Sequence, residues 1–150
     1  MAACWLLAQS VFGVPLTEIH IRDPFILPVE QGHQYMVYCH EWVQVRDGGM
    51  KLLPLSEDLS EPVGPPQLLF RGSDAPWAPQ GRDRYITDGP ALYRSKSGKL
   101  FMLWSGFSGT GYTTGIAIWD SGKVVGPWRQ QSEAFFRKDG DHAMVFRRLT

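Results

Sequence analysis

Cysteine is scarce in this chain: the 150 residues contain two, Cys4 and Cys39. Two cysteines so far apart make no disulfide framework, and no His/Cys/Asp grouping has zinc-site spacing. Cys39 falls in an alternating apolar run and reads as a buried, reduced thiol. An excess of one charge is also missing, because 15 Lys and Arg balance 15 Asp and Glu. Without a basic surplus, the electrostatic term that drives binding to nucleic acid or anionic membrane is absent, so neither is expected as a partner. There is no apolar run long enough to cross a bilayer. Residues 1–12 are apolar but lack a basic flank, so they make a poor secretory signal and leave the compartment open. The glycines of residues 106–111 lack the Lys-Ser/Thr ending of a phosphate loop. Ser105 and Ser108 lack the setting of a nucleophile elbow. Amphipathic helical periodicity is missing throughout.

Strand signals fill the space left by helices. Residues 34–45 read as a strand with a continuation, and Arg46-Asp47-Gly48-Gly49 as a turn in which the Asp-Gly pair supplies positive φ. Residues 50–55 return. Residues 67–70 form a short edge strand, and residues 72–84, with Pro, Gly and charge, form a long loop. A four-strand pattern follows, over residues 91–94, 99–105, 112–119 and 124–128. Pro127 sits in the last of these, at an edge that tolerates it. Residues 143–147 begin one more strand. Strand-sized runs with turn signals roughly every 8–12 residues indicate an all-β protein. Two segments that open on an acid each begin a unit of this kind, which suggests propeller blades, about two to three of them. Residues 1–16 form an N-terminal segment ahead of a domain spanning 17–150.

The acids carry the chemistry. Asp23 lies in Ile21-Arg22-Asp23-Pro24-Phe25, Asp88 in Thr87-Asp88-Gly89-Pro90, and Glu41 in His40-Glu41-Trp42. Each sits at the end of a strand-like run. Paired carboxyl groups near aromatic rings are what glycoside hydrolysis requires. Aromatics make up 13% of the chain, including six Trp, and flat rings suit sugar faces as well as cores. Each acid also has a plainer reading. Asp23 and Asp88 suit turns in which Asp caps its own backbone, and Glu41 suits the solvent face of a strand.

The ordered set of these runs resembles glycoside hydrolase family 43, the five-bladed propeller enzymes, and most of all its arabinofuranosidase- and xylosidase-like members. Further runs in the set are Lys99-Leu100-Phe101-Met102-Leu103-Trp104-Ser105, Gly126-Pro127-Trp128 and Gly140-Asp141-His142-Ala143-Met144. The resemblance implies hydrolysis of terminal α-L-arabinofuranosyl, β-xylosyl or galactofuranosyl links in an oligosaccharide by an inverting mechanism. It requires no cofactor. It places Asp23 as the base that activates water, with Glu41 or Asp88 as the acid. His40, Trp42, Trp77 and Trp104 are the expected substrate-binding residues. His142 matches a last-blade histidine able to hold a water, a calcium ion or another cation on the propeller axis.

The chain departs from the family pattern as well. It holds about half of the usual domain, and Trp77-Ala78-Pro79 ends in Gln80 where an acid is expected. Asp141 and Ala143 stand where glycines are usual. A half-propeller leaves open strand edges, so a homodimer or higher homo-oligomer that closes or nearly closes the ring is expected. The alternatives to an enzyme are a carbohydrate-binding module without turnover and a self-associating structural fragment.

Overall fold

The computed structural model describes residues 21–30, 32–40, 45–120 and 123–146. They form two four-stranded antiparallel sheets in an open arrangement. The first sheet is a meander of β1 (Ile21–Glu30), β2 (His33–His40), β3 (Gly49–Leu55) and β4 (Gln67–Arg71). The second repeats the order with β5 (Asp88–Arg94), β6 (Leu100–Ser108), β7 (Gly111–Trp119) and β8 (Trp128–Gln130). A single 3-10 turn, Gly72–Asp74, interrupts the connection between them. The all-β architecture expected from the strand signals is therefore the one observed, as two propeller-type blades.

Alternation explains the first sheet. Val37 and Cys39 of β2 face the main core, while Met36 and Tyr38 point the other way into a second cluster with Leu53 and Leu55. The main core runs between the sheets, and Trp104 lies at its centre with no exposed surface. Trp77 tilts against it at 4.9 Å and Phe70 at 5.2 Å. The indole N–H of Trp104 donates to Gln130 Oε1 at 3.0 Å. Trp77 comes from the long connection and fits only because Gly115 stands opposite. A Cβ at Gly115 would lie 2.4 Å from the Trp77 ring.

Two of the three tryptophans expected at the substrate are thus corrected: Trp77 and Trp104 are core residues. Burying an indole removes more apolar surface than any other side chain, and here the two rings fill the space between the sheets.

Three other expectations change. Residues 143–146 form no strand, since none of the described strands offers them a ladder, and an unpaired strand leaves its backbone groups unsatisfied. The strand expected over 124–128 begins at Trp128, because Pro127 has no N–H to donate and Gly126 N–H closes a turn on Lys123 O. The loop expected over 106–111 shrinks to a two-residue turn, since Ser108 pairs with Gly111 across it.

Two sets of bonds fix the relative position of the blades. Tyr85 exchanges backbone bonds with the β2–β3 connection, donating its N–H to Arg46 O at 2.8 Å and accepting from Gly48 N–H at 2.9 Å. Asp47 accepts from both the N–H and the hydroxyl of Ser73. The segment that leads into β5 is therefore held against the first blade.

Trp104→Ala is expected to destabilise the fold by about 3–5 kcal/mol, and Gly115→Ala by about 1–3 kcal/mol through overpacking. Urea unfolding measures both. An unchanged unfolding midpoint for Trp104→Ala would return that ring to the surface.

Candidate active site

Both candidate acids stand where a proline breaks an inner strand. Between Arg22 and Phe25 the β1–β2 register slips, so Asp23 and Pro24 together oppose Tyr38. The same slip occurs between Asp88 and Ala91, where Gly89 and Pro90 oppose Trp104. Proline cannot donate to the ladder, and the extra residue is absorbed as a bulge that re-aims its neighbours. In the first bulge the residue before proline is Asp23, at φ 48°. In the second it is Gly89, at φ 47°. The two acids therefore do not occupy equivalent positions: Asp23 aligns with Gly89, and Asp88 aligns with Arg22. This offset by one residue brings the two carboxyl groups together instead of repeating one of them in each blade. Asp is among the residues that tolerate left-handed backbone, which makes the first bulge accessible to it.

An oxygen of Asp23, an oxygen of Asp88 and the sulfur of Cys39 lie within 4.8 Å of one another. Asp88 is 9% exposed. Its Oδ2 accepts a short hydrogen bond of 2.5 Å from the Tyr112 hydroxyl. Burial pushes the Asp88 carboxyl up to about 6, with a hydrogen bond shared with Asp23 and the Asp23 charge adding to the rise, while the Tyr112 bond opposes it. The Tyr112 hydroxyl is itself raised, by burial and then by Asp88.

His142 closes the group. Its Nε2 stands 3.6 Å from Asp23 Oδ2, 3.8 Å from Asp88 Oδ1 and 3.4 Å from Asp141 Oδ1. The segment that carries it is tied across β7: Thr114 N–H donates to Phe136 O at 2.9 Å, and Tyr112 N–H to Asp139 Oδ1 at 3.3 Å. The His142 ring sits against Gly89, where a Cβ would come within 2.5 Å of it. Asp88, Asp141 and His142 present ligand atoms within 4.8 Å of one another, a donor set that fits a divalent cation.

Asp23 opens onto a cleft of about 480 Å³, and Asp88 lies buried behind it. Asp23, Phe25, Gly89, Leu92, His142 and Met144 are among its lining. Phe25 is the aromatic ring in this lining, the place the sequence reading gave to Trp77 and Trp104. His40 lies apart, in a second depression with Asp47, Lys51 and Arg71. Glu41 and Trp42 lie outside the described residues. Tyr112, Gly89 and Asp141 were not anticipated as site residues. Tyr112 stands 24 positions from Asp88, and only the pairing of β5, β6 and β7 brings it there.

Comparison with known proteins places this geometry. Residues 13–147 match the family model for glycosyl hydrolases family 43. The chain belongs to that family. It superposes on an endo-arabinase from Bacteroides thetaiotaomicron VPI-5482 with a TM-score of 0.76 at 40% identity, over 85% of this chain and 47% of that one. It also resembles a thermostable family-43 glycoside hydrolase, with a TM-score of 0.62 at 23% identity, over 73% of this chain and 36% of that one. A third match is RS223-β-xylosidase, with a TM-score of 0.58 at 17% identity, over 78% and 37% of the two chains. These two lower identities speak to the fold alone. A comparison with curated proteins returns no match. This family 43 chain therefore spans about half the length of the endo-arabinase it matches. The two bulged strands carry its candidate acids.

Because Asp88 sits near 6 in the fold against an ordinary 3.8, the folded chain binds an extra proton between those values. The stability from this group is complete below about 3.8 and is lost as pH rises through about 6. Asp88→Asn is expected to flatten the fall in thermal stability over that window and to raise the melting temperature at pH 7 relative to wild type. An identical pH profile in the two proteins would show that Asp88 titrates normally.

Proposed function

We propose that this family 43 chain hydrolyses glycosidic bonds, with Asp23 as general base and Asp88 as general acid. The observation that supports this reading is the meeting of Asp23, which lines the cleft, with the buried Asp88, which holds its proton to about 6. An acid with that range can protonate a leaving oxygen near neutral pH, and Asp23, 29% exposed, faces the cleft from which water arrives. Arabinofuranosyl links are the favoured substrate, because the 40% identity is to an endo-arabinase. Xylosyl and galactofuranosyl links are the next to test.

The separation of the acids has a mechanistic consequence. Inverting hydrolysis needs roughly 6.5–9.5 Å between carboxyl groups to seat water and the anomeric carbon. Here the nearest oxygens are within 4.8 Å, so the expected inverting spacing does not hold for this pair as it stands. The sugar must part the two groups as it enters, and the shared proton then goes to Asp88. Asp141 and His142, beside Asp88, are the residues that would hold a cation here, and a cation bound to Asp88 itself would displace the proton that the acid role requires. Phe25 supplies an apolar face for the ring of the sugar.

A homodimer is the second reading. It is favoured by the two sheets standing open instead of closing a ring. Sedimentation velocity at micromolar concentration is expected to give a dimer, and a monodisperse monomer would remove this reading.

The activity test is hydrolysis of aryl arabinofuranoside, xyloside and galactofuranoside, and of linear arabino-oligosaccharides, by wild type and Asp23→Asn. Asn tolerates the same left-handed backbone, so the variant is expected to fold. Turnover is expected to fall by roughly 10²–10⁴-fold, the usual worth of a general base. Retained turnover would remove Asp23 from the chemistry. Saccharide binding without product from wild type would leave a carbohydrate-binding module.

A further inference from the structure

Cys39 brings a different chemistry to the same pair of acids. It comes from β2, opposite Arg22, and is 1% exposed. A cysteine that merely fills a core meets carbon, but this sulfur lies within 4.8 Å of carboxylate oxygens of both Asp23 and Asp88. Three strands, β1, β2 and β5, thus contribute one donor each. Asp88 Oδ1 is inaccessible to solvent and accepts no hydrogen bond by geometry, His142 Nε2 standing 3.8 Å away. A buried carboxylate oxygen in that position must take a share of a proton or a cation.

We propose that Asp23, Cys39 and Asp88 form a binding site for a thiophilic divalent cation of the zinc class. Zinc binds sulfur at about 2.3 Å and carboxylate oxygen at about 2.0–2.2 Å, which sets tetrahedral donors about 3.3–3.7 Å apart. Donors already within 4.8 Å reach that spacing by side-chain adjustments of roughly one ångström. Binding displaces the thiol proton, because the thiolate is the ligand. Sulfur decides the selectivity. Thiolate favours zinc and cadmium, whereas calcium collects six or more oxygens. The Asp88, Asp141 and His142 set contains no sulfur and shares one residue with this site, so Cys39 tells the two apart.

An ion here would occupy the atoms that hydrolysis uses, so the test reads metal binding and not turnover. Failure to hydrolyse any sugar would leave its outcome untouched. The whole chain is titrated with cadmium while the thiolate-to-metal absorption in the near ultraviolet is followed, and with zinc and calcium by calorimetry. Cys39→Ser, Cys4→Ser and Asp23→Asn are run beside wild type. The expected result is a saturable band at one cadmium per chain in wild type and Cys4→Ser, and no band in Cys39→Ser. Zinc is expected to bind at least about tenfold more tightly than calcium, and to lose at least about tenfold in Asp23→Asn. Asp23→Asn keeps the test decisive if Cys39→Ser does not fold. A wild type without the band, a band that follows Cys4, or zinc affinity unchanged in Asp23→Asn would each overturn the proposal.

Discussion

Two carboxyl groups held side by side in a half-buried cleft are the constraint on which the rest of this molecule depends. Charges so close cannot both ionise without cost, and burial raises that cost. The fold meets it from several sides. Tyr112 donates to one oxygen of Asp88, His142 stands within reach of Asp23, Asp88 and Asp141, and burial keeps Asp88 protonated up to about 6. Each of these groups comes from a different part of the chain. The two bulges set the acids, β7 brings the tyrosine, and the segment after β8 delivers the histidine onto Gly89. The tryptophan-filled core between the blades fixes the distance between the strands that carry the acids. A disturbance there reaches the site without touching it.

Strand order and the two acid-bearing entries were legible in the sequence for a physical reason. Alternation marks half-buried strands, Gly and Asn/Asp pairs mark their turns, and Asp-Pro and Asp-Gly-Pro mark the places where a ladder breaks. What the sequence could not display is the one-residue offset between the bulges, since it depends on which side of each slip the acid falls. Nor could it separate a tryptophan that stacks on sugar from one that stacks on tryptophan. Trp77 and Trp104 have the composition of a binding platform, and only the glycine opposite them at 115 discloses a core. Residues 143–146 read as a strand because their side chains are apolar, but a strand requires a partner and this run has none among the described strands. Its apolar atoms instead line the cleft.

Membership of family 43 gives the meaning of the two blades without supplying the full enzyme. The match to the endo-arabinase covers 47% of that protein, so the substrate and the reaction of this chain stand as proposals carried by its own residues. Those residues make a coherent local chemistry. One acid holds its proton into the neutral range, one faces the water, and a thiol lies beneath both. The same closeness that lets Asp23 and Asp88 share a proton makes them donors for a metal. A single geometry therefore underlies both the hydrolytic reading and the metal site.

The most direct measurement of this account is the titration of each aspartate carboxyl carbon by NMR in the folded chain, with Asp23→Asn as the assignment partner. The account predicts one aspartate that titrates near 6 and moves toward the ordinary range when Asp23 loses its charge. A wild type in which every aspartate titrates near 4 would contradict it, because Asp23 and Asp88 would then neither share a proton nor sit as close as the structure places them.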